Sequence, residues 1–392
     1  MTKFPIDTLR GLRTPFYFYD IDLLNATLAR IKECSAYPGF HVHYAVKANV
    51  NPDILKIIAE AGFGADLVSG GEIKAALDAG FKPKDMVFAG VGKSDWEIEL
   101  ALDADVGCLN VESDAELDAI ERIAQRKGKV ATVALRVNPN IDAHTHHYIT
   151  TGLAENKFGI AMEQLEPIVM RAAKSPVLDL AGLHFHIGSQ ITITEPFKML
   201  CNKIIELCEH YRQMGIEFRS INVGGGLGID YDNPDANPIP DFESYFKSFH
   251  DNLPIAPGQQ LHFELGRSVV GQCGSLITSV IYVKEGVNKK FAIVDAGFSE
   301  LIRPALYQAH HLIQNLTSAD TPEKYDVVGP ICESSDTFGV DEMLPKTKRG
   351  DIFCTPFGGS IRRNSWPAII TAAVSTLHFC IQKVKCSATC TP

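Results

Sequence analysis

The chain has 392 residues, 45% apolar and 21% charged, with 37 Lys and Arg against 47 Asp and Glu for a formal charge of −10. These are the values of an ordinary globular protein and exclude a disordered, collagen-like or low-complexity chain. The acidic balance, a sequence pI near 5.7 and the absence of any Lys/Arg run argue against a nucleic-acid binder, which presents a basic face.

At roughly 100–200 residues per domain, this length predicts two or three domains, or one large barrel with an appendage. Residues 1–16 lack the apolar stretch of a secretory signal. Segment 368–381 is broken by Thr, Ser and His and is too short for the ~30 Å of a bilayer core. A cytoplasmic protein with no membrane partner is expected. Ten Cys occur without a CxxC, which predicts reduced thiols rather than a zinc ribbon or disulfide framework.

Along the chain, 16–20 reads first as an isolated β-rich run. Eight further β-rich runs follow, at 41–47, 65–69, 86–90, 106–112, 131–138, 180–188, 220–226 and 261–266. Between them lie helical patterns such as 52–61, 71–79, 95–102, 114–126 and 197–214, several opening on Ser or Asp and closing on Gly. Eight β/α units in about 230 residues are the signature of a (β/α)8 barrel. A doubly wound sheet is the weaker alternative, because no GxGxxG follows the first strand. After Gly266 the character changes: 269–283, 289–295 and 325–328 read as strands, and 303–316 as a helix. The run 16–20 has no place in the barrel and is expected to pair with these later strands. The predicted division is a barrel over 30–267 and a mainly β domain made of 1–29 and 268–392.

Active sites of such barrels lie at the C-terminal strand ends. Those ends carry Lys47, the 66–69 turn, Asn138, His186 with Ser189, Gly224–Gly225–Gly226, Glu264 and Arg267. Each has an ordinary alternative. Lys47 is either a snorkelling surface lysine or an amine whose proton affinity burial lowers, as Schiff-base chemistry requires. The glycines are a flexible turn or a phosphate nest. His186 and His184 alternate and so share a face, whether as core imidazoles or as a site. Glu264 and Arg267 taken alone are an ion pair. His144, His146 and His147 have no carboxylate or Cys at ligand spacing, so a solvated loop is expected there and no metal. Cys332, beside Glu333, is no low-pKa nucleophile but suits a proton donor.

Taken together, YAVKAN (44–49), HFHIGSQ (184–190), GGGLG (224–228), ELGR (264–267), IRPALY (302–307) and GPICESSD (329–336) resemble the fold-type III pyridoxal-phosphate decarboxylases over about residues 10–351. The resemblance implies pyridoxal 5′-phosphate as cofactor, held covalently by Lys47. Glu264 would face the pyridine nitrogen and His186 the ring. Ser189, Gly224, Gly225, Gly226 and Arg267 would hold the phosphate, with Arg267 also reaching substrate. Cys332 would return a proton to the α-carbon. Arg303 and Tyr307 in the family's substrate positions imply a distal carboxylate and Glu333 a distal ammonium, which together favour meso-2,6-diaminopimelate, decarboxylated to L-lysine, over ornithine. Homodimers with shared active sites are a further implication. A carboxynorspermidine decarboxylase, an amino-acid racemase and a non-catalytic binding homologue fit the motifs less well.

Two departures stand out. Leu265 replaces the family's proline without changing the Glu264–Arg267 spacing. Residues 352–392 contain no Asp, Glu or Tyr but four of the ten Cys. That tail reads as out-of-frame translation, lacking the family's Ala-Tyr-Gly tyrosine, and predicts an impaired, aggregation-prone product.

Overall fold

The computed structural model describes residues 4–141, 156–360 and 377–381, the last as backbone alone. The chain divides into two compact units, one of residues 27–229 and 240–269, the other of 1–26, 230–239 and 270–392. The histidines at 144–147 lie outside the described residues.

The first strand, β1 (Phe16–Asp20), belongs to the second unit. In the first unit, β2 (Phe40–Ala45), β3 (Gly64–Leu67), β4 (Met86–Phe88), β5 (Cys108–Val111), β6 (Ala131–Arg136), β7 (Leu178–His184), β8 (Ser220–Asn222) and β9 (Gln260–Leu265) close into a parallel barrel in chain order. The closing pair sets His43 opposite Glu264. The expected (β/α)8 architecture is therefore present.

The βα turns are written in a local code. Ser69, Ser94 and Ser113 each cap a helix whose third residue is Glu72, Glu97 or Glu116. Each hydroxyl satisfies the orphan N–H of the first turn, and each glutamate reaches back to the chain entering it. Glu72 accepts from Val68 N–H at 2.9 Å, Glu97 from Ser94 N–H at 3.0 Å and Glu116 from Glu112 N–H at 2.8 Å. These helices therefore start directly above the strand ends. The outer layer is apolar and aromatic. Helix Phe242–Asn252 buries Phe242, Tyr245, Phe246 and Phe249 at helical spacing, with the rings of Phe246 and Phe249 4.9 and 5.3 Å from that of Phe263 on β9. Each such ring buried is worth roughly 1.5–3 kcal/mol.

The second unit is a mainly antiparallel sheet of β10 (Gly274–Glu285), β11 (Lys290–Val294), β12 (Gln314–Asn315), β13 (Pro322–Val328), β14 (Thr337–Pro345) and β15 (Ile352–Thr355), with β1 antiparallel to β10 and β16 (Leu377–Ile381) parallel to β1. Phe16, Phe18, Ile277, Ile352 and Cys354 share one buried cluster. The helix expected over 303–316 is shorter: it spans Arg303–Tyr307 and stops at Gln308, which has φ 51° in the left-handed region. That geometry ends a helix, and the chain continues extended into β12. The supposed tail also begins inside the fold, since β15 is buried along its length and pairs with β10 on one side and β12 on the other.

Candidate active site

Beyond β2, a 3-10 turn over Val46–Ala48 presents Lys47 at the strand end. The turn is fixed by Tyr44, whose hydroxyl donates to the Asn49 carbonyl at 3.0 Å. Lys47 Nζ donates to Asp66 Oδ2 on β3 at 3.3 Å; the lysine side chain is 36% exposed and the aspartate wholly enclosed. This overturns one expectation. The low-dielectric surroundings do lower the amine's proton affinity, but Asp66 and then Glu264 raise it more, and Lys47 titrates above the ordinary lysine range. The same burial, reinforced by Glu264 and only partly offset by Lys47, pushes Asp66 up to about 7.

Glu264, near the end of β9, is fully enclosed. Its Oε1 accepts from the side-chain amides of Asn110 at 3.2 Å and Asn222 at 2.8 Å, and its Oε2 from His184 Nε2 at 3.1 Å. Burial alone would neutralise this acid, but His184 and its N–H, with Lys47 and His186 behind, hold it well below the usual carboxylate range. Asn110, His184 and Asn222 sit on β5, β7 and β8, so one carboxylate ties together strands around the barrel. Asn110 and Asn222 have no place among the residues expected from sequence, and His184 enters there only as sharing a face with His186. The available signal was an Asn inside a short buried strand, which needs a polar partner.

A second buried network lies beside it. Arg136 Nη1 is 2.6 Å from Glu112 Oε1, and Lys93, 1% exposed, donates to Glu116 at 2.6 Å and to the Asn110 carbonyl at 2.7 Å. Removing one member of such a pair typically costs about 3–5 kcal/mol, because the partner charge is left buried. This network holds the backbone of Asn110 and so the cage around Glu264. Two other strand-end residues build turns: Ser69 is a helix cap, and Asn138 accepts from Asn140 N–H at 3.1 Å.

The glycine turn after β8 has two jobs. Gly224 adopts φ +70°, and a Cβ on Gly225 would fall on the Glu264 carbonyl oxygen, so only glycine fits. Gly224 N–H donates to Asn222 Oδ1 at 2.9 Å and Gly225 N–H to His186 Nδ1 at 3.2 Å. Two of the three amides of the expected nest are thus turned onto protein partners. His186 is held neutral, first by burial and then by Lys47 and Arg136. Arg267 Nη2 reaches Ser189 Oγ at 3.5 Å, which brings those two predicted residues together.

The remaining candidates belong to the second unit. Arg303 and Tyr307 bracket one short helix. The Arg303 guanidinium lies 4.0 Å from the centre of the Tyr231 ring and 2.6 Å from His311 Nε2. Cys332 and Glu333 are exposed on a turn. Buried Asp336 anchors that turn by accepting N–H bonds from Ile331 at 2.8 Å and Phe298 at 2.7 Å. Among the described residues, no group of three His, Cys, Asp or Glu could hold a metal ion, and no helix is long and apolar enough to cross a membrane.

An accessible lysine at the mouth of a (β/α)8 barrel, an ionised glutamate beside it and a glycine turn flanked by Ser and Arg define the class of pyridoxal-dependent decarboxylases. The sequence profile described as the pyridoxal binding domain of pyridoxal-dependent decarboxylases matches residues 23–271. The diaminopimelate decarboxylase of Bacteroides thetaiotaomicron is 55% identical over 358 residues, 91% of this chain and 93% of that protein. That of Helicobacter pylori strain J99 is 44% identical over 86% of this chain and 83% of its own length. The crystal structure of the Helicobacter pylori enzyme complexed with L-lysine superposes with a TM-score of 0.88 at 39% identity, covering 96% of this chain and 94% of that one. The chain belongs to the diaminopimelate decarboxylase family.

Proposed function

We propose that this protein decarboxylates meso-2,6-diaminopimelate to L-lysine and CO2, the closing reaction of lysine synthesis, with pyridoxal 5′-phosphate held at Lys47. The observation that carries the reading is the Glu264 cage, a buried carboxylate kept ionised at the barrel end that also presents an accessible amine. The residues fit the cofactor. Lys47 supplies the covalent anchor, Glu264 a fixed negative charge for the ring nitrogen, and His186 a neutral imidazole face. Ser189, Arg267 and Gly226, the last glycine of the turn, supply phosphate donors, while Gly224 and Gly225 give the close backbone approach rather than their N–H groups. When bound, pyridoxal phosphate supplies the electron-accepting ring through which an amino acid loses its carboxylate.

The chain's own groups do the rest. Glu264 keeps its charge because protonation would sacrifice bonds from Asn110, Asn222 and His184. Arg303, steadied by the Tyr231 ring and His311, and Tyr307 meet the distal carboxylate of the substrate, and Glu333 its ammonium. The Cys332 thiol delivers the proton that replaces CO2. We infer that the protein works as a homodimer in which the Cys332–Glu333 turn serves a second copy's site, and that it does so in the cytoplasm. Borohydride reduction after addition of pyridoxal phosphate tests the anchor. The expected result is one phosphopyridoxyl group on the Lys47 peptide; labelling elsewhere, or nowhere, contradicts the assignment.

We further propose that the reading frame departs at residue 360 rather than 352. Support comes from β15 and from Gly358 and Gly359, whose N–H groups bond the carbonyls of Gly274 and Gly271 at 2.9 and 3.0 Å. One synonymous spelling of residues 360–366 (AGC ATA CGG CGA AAC AGT TGG) reads, one nucleotide on, as Ala-Tyr-Gly-Glu-Thr-Val, which restores the family's missing tyrosine run. Resequencing the gene across codon 360 is expected to reveal a shift of one nucleotide; an unchanged sequence there sinks this reading.

A further inference from the structure

An amine attacks a carbonyl only in its neutral form, which alone has a free lone pair. Lys47 is instead paired with a carboxylate, its Nζ 3.3 Å from Asp66 Oδ2. The charged groups acting on it are Asp66 on β3, Glu264 on β9, Glu72 on the helix after β3 and, in the opposite sense, Arg136 on β6.

The two nearest carboxylates are not equivalent. Glu264 accepts from three N–H donors, so a proton placed on it displaces bonds already made. Asp66 has Lys47 alone: its side chain is wholly enclosed, and its Oδ1 is buried with no hydrogen-bond partner. A proton from the amine therefore meets less resistance at Asp66. Paired carboxylates driven apart by their surroundings divide acid and base roles in this way.

We propose that Asp66 is the proton partner of Lys47, pairing with the amine while it is an ammonium ion and taking its proton when the amine becomes a nucleophile. One proton moves from Nζ to an Asp66 carboxylate oxygen, leaving a neutral amine and a neutral acid with no change in net charge. Asp66 acts through Lys47 and is a positioning residue. The proposal deepens the reading of Lys47 as the cofactor lysine and rests on it.

The test acylates the full-length, cofactor-free protein across a pH series and follows the Lys47 peptide by mass spectrometry. Lys56, whose side chain is 68% exposed, is the internal standard. In the wild type, the Lys47 midpoint is expected above that of Lys56. Asp66→Asn should lower it by a unit or more, about a tenfold gain in labelling below the midpoint, while Asp66→Glu restores it. Borohydride-trapped capture of pyridoxal phosphate should be independent of buffer concentration in the wild type and rise with it in Asp66→Asn, where bulk base must replace the carboxylate. Superimposable wild-type and Asp66→Asn profiles overturn the proposal, as does a wild-type Lys47 midpoint below that of Lys56. The second comparison needs no variant and stands if Asp66→Asn does not fold. Trapping on Lys47 with unshifted profiles defeats only the role of Asp66. Shifted profiles without trapping defeat the cofactor reading instead.

Discussion

Strands β2 and β9 carry two buried polar layers of opposite character. In one, His43 Nε2 lies 2.8 Å from His262 Nδ1, and His43 Nδ1 lies 3.0 Å from the Asp85 carbonyl. A carbonyl only accepts, so His43 bears a proton on Nδ1, and with both rings in the neutral form that burial favours, His262 Nδ1–H donates to His43 Nε2. Burial lowers the proton affinity of both, His262 furthest. Two residues along β9 lies Glu264, equally enclosed yet ionised, because amides, His184 and Lys47 surround it. Burial alone removes charge, and burial with donors aimed at the group preserves it. Only the second arrangement is equipped for chemistry, and it sits at the strand ends where a ligand can enter.

The largest effect is expected from Glu264→Gln, which keeps the shape and removes the charge. CO2 release should fall about 10²–10³-fold while phosphopyridoxyl trapping on Lys47 persists; steady-state assays beside trapping check this, and full activity would erase the contrast. Asn222→Ala removes one amide from the cage. It should lower unfolding stability by about 1–3 kcal/mol, measured by urea denaturation, and raise the acid limb of the activity profile as Glu264 loses a donor.

The smallest effect concerns the neutral layer. His43 and His262 titrate lower when folded than unfolded, so the unfolded chain takes up protons first, and stability falls as pH drops below the ordinary imidazole value near ~6.5. Asp66, pushed up to about 7, works in the opposite sense: the folded state binds its proton first, and raising pH between ~4 and that value costs stability. His262→Asn keeps an amide donor for His43 and removes one titrating ring. Its stability should depend less steeply on pH below ~6.5 than the wild type's, by up to about 1.4 kcal/mol per pH unit. Parallel slopes would mean that the imidazole pair is already charged in the fold.

Much of the barrel was legible because its signals are local. The Ser-x-x-Glu boxes at 69–72, 94–97 and 113–116 mark helix starts without any knowledge of the fold, and the eight β-rich runs fall on the eight barrel strands. The run 16–20 pairs with the later strands as expected, being a ninth β-rich run ahead of the eight that close the barrel. The helix expected over 303–316 stops at Tyr307: the apolar spacing continues, but Gln308 turns left-handed and the chain becomes extended. In the site, residues with chemistry at a strand end were visible, whereas those that tune them were not. Asn110 and Glu264 are 154 positions apart and His184 and Glu264 are 80, so no spacing rule joins them. The proton affinity of Lys47 was misjudged for the same reason. Burial could be read from its neighbours in sequence, but the opposing carboxylate on β3 could not.

Decarboxylation of a substrate with an amino acid group at each end is the reaction for which this barrel end is proposed. Its most direct test is CO2 release by the purified protein with added pyridoxal phosphate, comparing meso-2,6-diaminopimelate with ornithine and arginine. CO2 and L-lysine are expected in equal amounts from the first and little or nothing from the other two. Pyridoxal phosphate trapped on Lys47 with no CO2 from meso-2,6-diaminopimelate would contradict it.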